Sequence, residues 1–69
     1  MTTTTITIEN TKVIVISMNT TKREAKQFGN LESKKGFTPI VACYDVNGVD
    51  YLGYGYNLTE AIANSKIKS

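Results

Sequence analysis

Cys43 is the one thiol of the chain, and no histidine accompanies it. A thiol or a serine hydroxyl needs a neighbouring base to become a useful nucleophile at neutral pH. Without His, the Cys-His, Ser-His and metal-His arrangements are all excluded. A zinc centre takes four Cys, His or carboxylate ligands. One Cys with carboxylates is a poor set, so no metal and no other cofactor is expected. A lone Cys closes no internal disulfide and suits a reducing compartment; Cys43 reads as a small hydrophobe in a strand. Glu24 and Glu60 could serve as bases, but each lies three residues after a side chain suited to cap a helix, and capping accounts for both. The expectation is a protein that is not an enzyme.

The remaining side chains can bind rather than react. Five of the eight basic residues, Lys22, Arg23, Lys26, Lys34 and Lys35, fall within residues 22–35 against only Glu24 and Glu32. Against a formal charge of +2 for the whole chain, this segment carries +3 and is its one basic patch, able to meet phosphates or an acidic protein surface. A solvated helix face is the simpler reading of such a patch. Residues 41–56 hold Asp45 and Asp50 with Tyr44, Tyr51, Tyr54 and Tyr56, and no basic residue.

These side chains must be positioned by one small domain, because 69 residues do not make two. A chain of this size buries only about 60% of its unfolded surface, so its core is thin. Thr2–Thr5 are β-branched and Ile6-Thr7-Ile8 alternates; Glu9-Asn10-Thr11-Lys12 reads as a turn and Val13–Ser17 as a strand. A hairpin with Glu9 facing Lys12 places Ile6, Ile8, Val13 and Val15 on one face and Thr5, Thr7, Ile14 and Ile16 on the other. A single bent strand is the alternative, and whether Thr2–Thr5 extend the strand stays open. Thr21-x-x-Glu24 is a capping box, which predicts a helix over about 22–32 with Ala25, Phe28 and Leu31 on one face. Gly29 weakens this helix. Phe37–Tyr44 reads as the third strand. Asn47-Gly48 between apolar runs specifies a two-residue hairpin turn, with Tyr51–Tyr56 returning. Asn57-x-x-Glu60 caps a second helix over about 58–67, with Leu58, Ala61, Ile62 and Ser65 as its apolar stripe.

The order is ββαββα: an α+β fold, an antiparallel sheet with two short helices. The single domain, 1–69, divides into two hairpin-helix halves, about 5–33 and 37–68. The tight turn makes Tyr44 face Tyr51, Asp45 face Asp50 and Val46 face Val49. Val41, Cys43, Leu52, Tyr54 and Tyr56 then share the bulkier face, expected to seat the helices as the core. Ile40, Ala42, Tyr44, Tyr51, Gly53 and Gly55 share the other, a flat strip beside two tyrosines. Either a helix covers this strip or a protein partner or second copy does. On the second reading Tyr44, Tyr51, Val46, Val49 and Asn47 are the partner-binding residues. Asp45 and Asp50 repel each other across the hairpin, and a partner's Lys or Arg would relieve them.

Residues 42–64 end a hairpin in Leu52-Gly53 and open a helix with Thr59-Glu60-Ala61. In this they resemble the arm-site DNA-binding domain of lambda-type integrases and the plant ethylene-response DNA-binding domain, and more loosely double-stranded-RNA-binding domains. The resemblance implies a sheet packed on one helix whose outer face enters the major groove, with Tyr44, Val46, Val49 and Tyr51 outward. None of these is a basic residue, and direct readout uses Arg, Lys, Asn or Gln; only Asn47 is available. Asp45 and Asp50 would sit near phosphates.

Two function classes follow. The first is a small non-enzymatic protein-binding module, of the type that phages and mobile elements encode to inhibit a host or defence protein by steric occlusion, with a homodimer as a further possibility. The second is a DNA- or RNA-binding module like the integrase arm domain. No apolar run approaches the roughly 20 residues of a membrane span. With no basic-then-apolar leader at Met1, the expected location is cytoplasmic. The Asn19-Thr20-Thr21 and Asn57-Leu58-Thr59 glycosylation patterns are read as turn and cap residues.

Overall fold

The computed structural model describes residues 1–68. The chain runs β1 (Thr2–Ile8), β2 (Thr11–Asn19), α1 (Lys22–Gly29), β3 (Ile40–Val46), β4 (Val49–Gly55), α2 (Leu58–Ala63) and β5 (Lys66–Ile67). The strands form one antiparallel sheet in the order β1-β2-β3-β4-β5. The α+β fold expected from the sequence is therefore the fold observed, with a fifth strand added.

Both hairpins turn on two residues. Glu9 and Asn10 have φ of 50° and 64°, and Asn47 and Gly48 have 52° and 84°. Positive φ at both central residues is the type I′ signature, whose twist matches the flanking strands. The second turn was legible from Asn-Gly. The first uses Glu-Asn and starts one residue earlier than expected, so Ile8 pairs Thr11 and Ile6 pairs Val13. The pairing is displaced by two residues, which leaves every side chain on the face assigned to it. Thr2–Thr5 do extend the strand.

Both helices are shorter than their apolar stripes suggest. In α1 the Thr21 hydroxyl accepts from the Glu24 N–H at 3.1 Å, and Glu24 accepts from the Thr20 hydroxyl at 2.8 Å. Asn30, at φ 51°, then stops the helix, and the Leu31 N–H turns back to the Ala25 carbonyl. Ala25 is buried as expected, but Phe28 is 66% exposed. In α2 the Asn57 side chain accepts from the Glu60 N–H at 2.8 Å. The helix ends at Asn64, whose amide donates to the Tyr54 carbonyl at 3.0 Å. The Ser65 hydroxyl donates to the Ile62 carbonyl, and the chain straightens to pair Lys66 with Leu52 and Ile67 with Tyr51. The open edge of β4 takes these residues from the helix expected to reach 67. The third strand also begins late: Pro39 is fully buried before it, and its carbonyl accepts from Thr20 N–H at 2.9 Å.

The core lies on the face opposite to the one expected. Val13, Val15, Ala42 and Ala61 are buried, with Ile6, Ile8, Ile40, Tyr44, Val46, Leu58 and Ile62 packed around them. Thus Ala42, Gly53 and Gly55 are not an exposed strip; they form the seat of α2. A Cβ at Gly53 would lie 2.0 Å from the Ala61 carbonyl oxygen, and one at Gly55 would lie 2.5 Å from the Ala61 nitrogen. Small side chains let the helix backbone rest on the strands, whereas the bulk of Leu52 and Tyr54 would hold a helix away. Each valine buried there contributes about 1.5–3 kcal/mol.

Candidate protein-docking face

The sheet face opposite α2 is covered only in part. Its register brings together Ile14, Ile16 and Met18 of β2, Val41, Cys43 and Asp45 of β3, and Asp50, Leu52 and Tyr54 of β4. Helix α1 reaches this face at Tyr54, against which Gly29 lies so closely that an added Cβ would sit 2.6 Å from the ring. Away from α1 the face is open. Ile14 is 61%, Ile16 37% and Met18 46% exposed, while Cys43 and Leu52 are half-buried beside them. A shallow depression of about 370 Å³ runs over Ile14, Ile16 and Cys43 to Asp45, Asp50 and Lys68, with Tyr44 and Tyr51 also in its lining. A contiguous apolar strip of this kind, edged by charge, is the usual mark of an interaction surface.

Of the residues expected to bind a partner, Tyr44 and Tyr51 line this depression but turn their rings to the other side of the sheet. Tyr44 and Tyr51 stack, with ring centroids 5.3 Å apart and planes 11° from parallel. They lie on the α2 side of the sheet, half-buried, and the Tyr44 hydroxyl meets that of Ser65. Val46 packs against the core, whereas Val49 is 38% exposed and Asn47 occupies the exposed turn. The hairpin tip is thus accessible, and the tyrosine pair beneath it is part of the α2 packing. The four positions that the DNA-binding resemblance makes outward share the face that carries the helix. The face away from α2 presents mainly Ile, Met, Cys, Val, Leu and Asp, which offer few groups to read base edges.

Asp45 and Asp50 are directly opposite, as the turn predicts, and both are exposed. The Lys68 backbone N–H donates to the Asp50 backbone carbonyl at 2.8 Å, which holds the chain after β5 against this end of β4, and Lys68 lines the same depression. In the basic patch, Lys22, Arg23 and Lys26 are exposed on α1. Lys34 is occupied otherwise, its ammonium 5.1 Å from the centroid of Phe37 and 5.8 Å from that of Tyr56. Lys35 is exposed in the turn with Gly36. The Tyr56 hydroxyl donates to the Glu32 carbonyl, which ties this loop to the end of β4. Burial raises the Tyr54 hydroxyl above its ordinary value of 10.0, and the Glu24 carboxylate adds to the shift.

Sequence reasoning placed Ile14 and Ile16 together on one face but did not identify that face as open. The signal was present in Val13-Ile14-Val15-Ile16, apolar on both sides of the strand. Such a run normally marks a strand covered on both faces, and α2 covers only one. Among the described residues no cluster of three or more His, Cys, Asp or Glu could hold a metal ion, and no helix is long and apolar enough to cross a membrane. Comparison with family models, with curated proteins and with solved structures finds no match to this chain.

Proposed function

We propose that the protein is a small non-enzymatic protein-binding module that occludes a surface of its partner, in the manner of the inhibitors that phages and mobile elements direct at host or defence proteins. The observation that carries this reading is the open Ile14–Ile16–Met18 strip on a sheet face that the fold leaves half-covered. The anchors are then these three side chains, with Cys43 and Leu52 as the floor, in place of the Tyr44–Tyr51 pair. Burying each anchor fully supports about 1.5–3 kcal/mol of transfer free energy, of which association keeps only the surplus over ordering costs. Asp45 and Asp50 at one end of the strip fit a partner whose apolar patch is rimmed by Lys or Arg. Lys22, Arg23 and Lys26 on α1 affect the approach more than the final affinity.

The test is a paired capture. Wild-type protein and an Ile14→Glu/Ile16→Glu variant are immobilised and exposed to the same host lysate, and bound proteins are quantified by mass spectrometry. Circular dichroism first establishes that the variant folds. One protein retained by the wild type and lost by the variant supports the reading. Equal retention by both removes the strip as the docking face. Duplex DNA and RNA are titrated in parallel; micromolar binding that weakens steeply with salt replaces this reading with the nucleic-acid one.

A further inference from the structure

The two edges of the sheet are built differently. Edge strands expose unpaired N–H and C=O groups, and proteins blunt them by shortness, charge, proline or bulges. The β5 edge follows that rule: it is two residues long and includes Lys66, with Lys68 just beyond it. The β1 edge does not. It is seven residues of Thr-Thr-Thr-Thr-Ile-Thr-Ile, with no charge and no proline, and it pairs only with β2.

The register fixes which residues face outward. The Thr20 N–H donates to the Pro39 carbonyl, in line with the β2–β3 pairing of Ile16 with Cys43. Even-numbered residues of β2 therefore direct their backbone groups to β3, and Thr11, Val13, Val15 and Ser17 direct theirs to β1. These four pair with Ile8, Ile6, Thr4 and Thr2. By the alternation of an antiparallel ladder, Thr3, Thr5 and Thr7 turn their N–H and C=O groups away from the sheet.

We infer that β1 pairs antiparallel with β1 of a second copy, about a two-fold axis midway between the two Thr5 residues. The strand is self-complementary in this register. Its central residue, Thr5, is outward-facing and meets its own counterpart, and Thr3 meets Thr7 on both sides. Each of these pairs exchanges two N–H···O bonds. Thr4 meets Ile6 between them, on the α2 side. No charge lies on the strand, so the two copies meet without repulsion, and an isologous contact of this kind closes at two chains. The axis stands perpendicular to the sheet, so two five-stranded sheets become one and both Ile14–Ile16–Met18 strips lie on the same side. The inference is independent of the docking face, because it uses the edge alone.

Sedimentation equilibrium up to about 1 mM, the weak end of measurable association, tests it together with Thr5→Pro. Proline removes an outward N–H and is tolerated at edge positions that face solvent. The wild type is expected to approach twice the monomer mass with rising concentration, and the Thr5→Pro protein to remain monomeric with its circular dichroism unchanged. Amide exchange guards against misfolding of the variant. In the wild type, the Thr3, Thr5 and Thr7 amides should become slower to exchange as concentration rises, whereas Thr4 and Ile6 should be protected throughout. A wild type that stays monomeric overturns the inference. So does a dimer that forms without protection of the Thr3, Thr5 and Thr7 amides.

Discussion

In Gly53→Ala the added methyl group meets the backbone of α2. Its Cβ would lie 2.0 Å from the Ala61 carbonyl oxygen and 2.8 Å from both the Cα and the nitrogen of Ser65. These are backbone atoms of the helix and its exit, so no rotamer change relieves the overlap. An ordinary carbon–oxygen contact needs well over 3 Å, so α2 must lift from the sheet by roughly 1 Å or more. Lifting it uncovers Ala61 and Ala42, both fully buried, and pulls Ser65 from Tyr44. Overpacking of this kind typically costs 1–3 kcal/mol. Because the obstacle is backbone, the upper half of that range is expected, about 2–3 kcal/mol. For a domain of this size each kcal/mol lowers Tm by about 4–8 °C, so the fall should be roughly 8–24 °C. The assay is thermal and urea unfolding followed by circular dichroism. Gly48→Ala is the control: its Cβ meets open space, and only its φ of 84° disfavours a side chain. A Gly53→Ala protein within about 0.5 kcal/mol of wild type, the ordinary range of a harmless surface change, would mean that α2 does not rest on this face. The assignment of the opposite face as open would fail with it.

Further outcomes follow from the same geometry. The folded-state pKa of Tyr54 is raised above its unfolded value. Its contribution to stability is therefore fully present below pH 10 and lost as pH rises through the folded pKa; Tyr54→Phe should flatten this part of the alkaline stability profile, and an unchanged profile would remove the burial argument. Asp50→Lys turns a like-charge pair into an opposite one facing Asp45. It should stabilise by about 0.2–1 kcal/mol at low salt and less at high salt, with the difference read from urea midpoints. Asn10→Gly places glycine at φ 64° in the second position of the first turn. It should raise the unfolding midpoint slightly, by about 0.5 kcal/mol, since Gly is the preferred residue there; destabilisation would argue against a two-residue turn.

How much could be read in advance depended on whether a feature was local. The Asn47-Gly48 turn, the capping of the two helices by Thr21 and Asn57 and the pairing of Asp45 with Asp50 are set by residues a few positions apart and are found as expected, although the Glu24 carboxylate takes the Thr20 hydroxyl in place of the Thr21 N–H of a full capping box. The first hairpin had no glycine to fix its register, yet its faces survived because a two-residue displacement preserves them. What could not be read was which sheet face the helices choose. Leu52 and Tyr54 have the bulk usually found in a core, but a helix sits closer on Ala42, Gly53 and Gly55 than on large side chains. That choice rests on helix-to-sheet packing across residues distant in sequence. The same uncertainty hid the open Ile14–Ile16–Met18 strip. β5 was missed because Ser65 fits the α2 stripe by spacing alone, while the Tyr44 hydroxyl and the free edge of β4 hold this segment elsewhere.

Docking of a partner on the open sheet face is tested most directly by NMR. Methyl-labelled isoleucine and methionine resonances report on both faces at once, with Ile14, Ile16 and Met18 on the open face and Ile6, Ile8 and Ile62 on the side of α2. The measurement is a methyl NMR titration with the partner recovered by paired capture. The Ile14, Ile16 and Met18 methyls are expected to shift or broaden while those of Ile6, Ile8 and Ile62 stay in place. Unmoved Ile14, Ile16 and Met18 signals at saturation, with the perturbation confined to the α2 side or the Val49 tip, would contradict it.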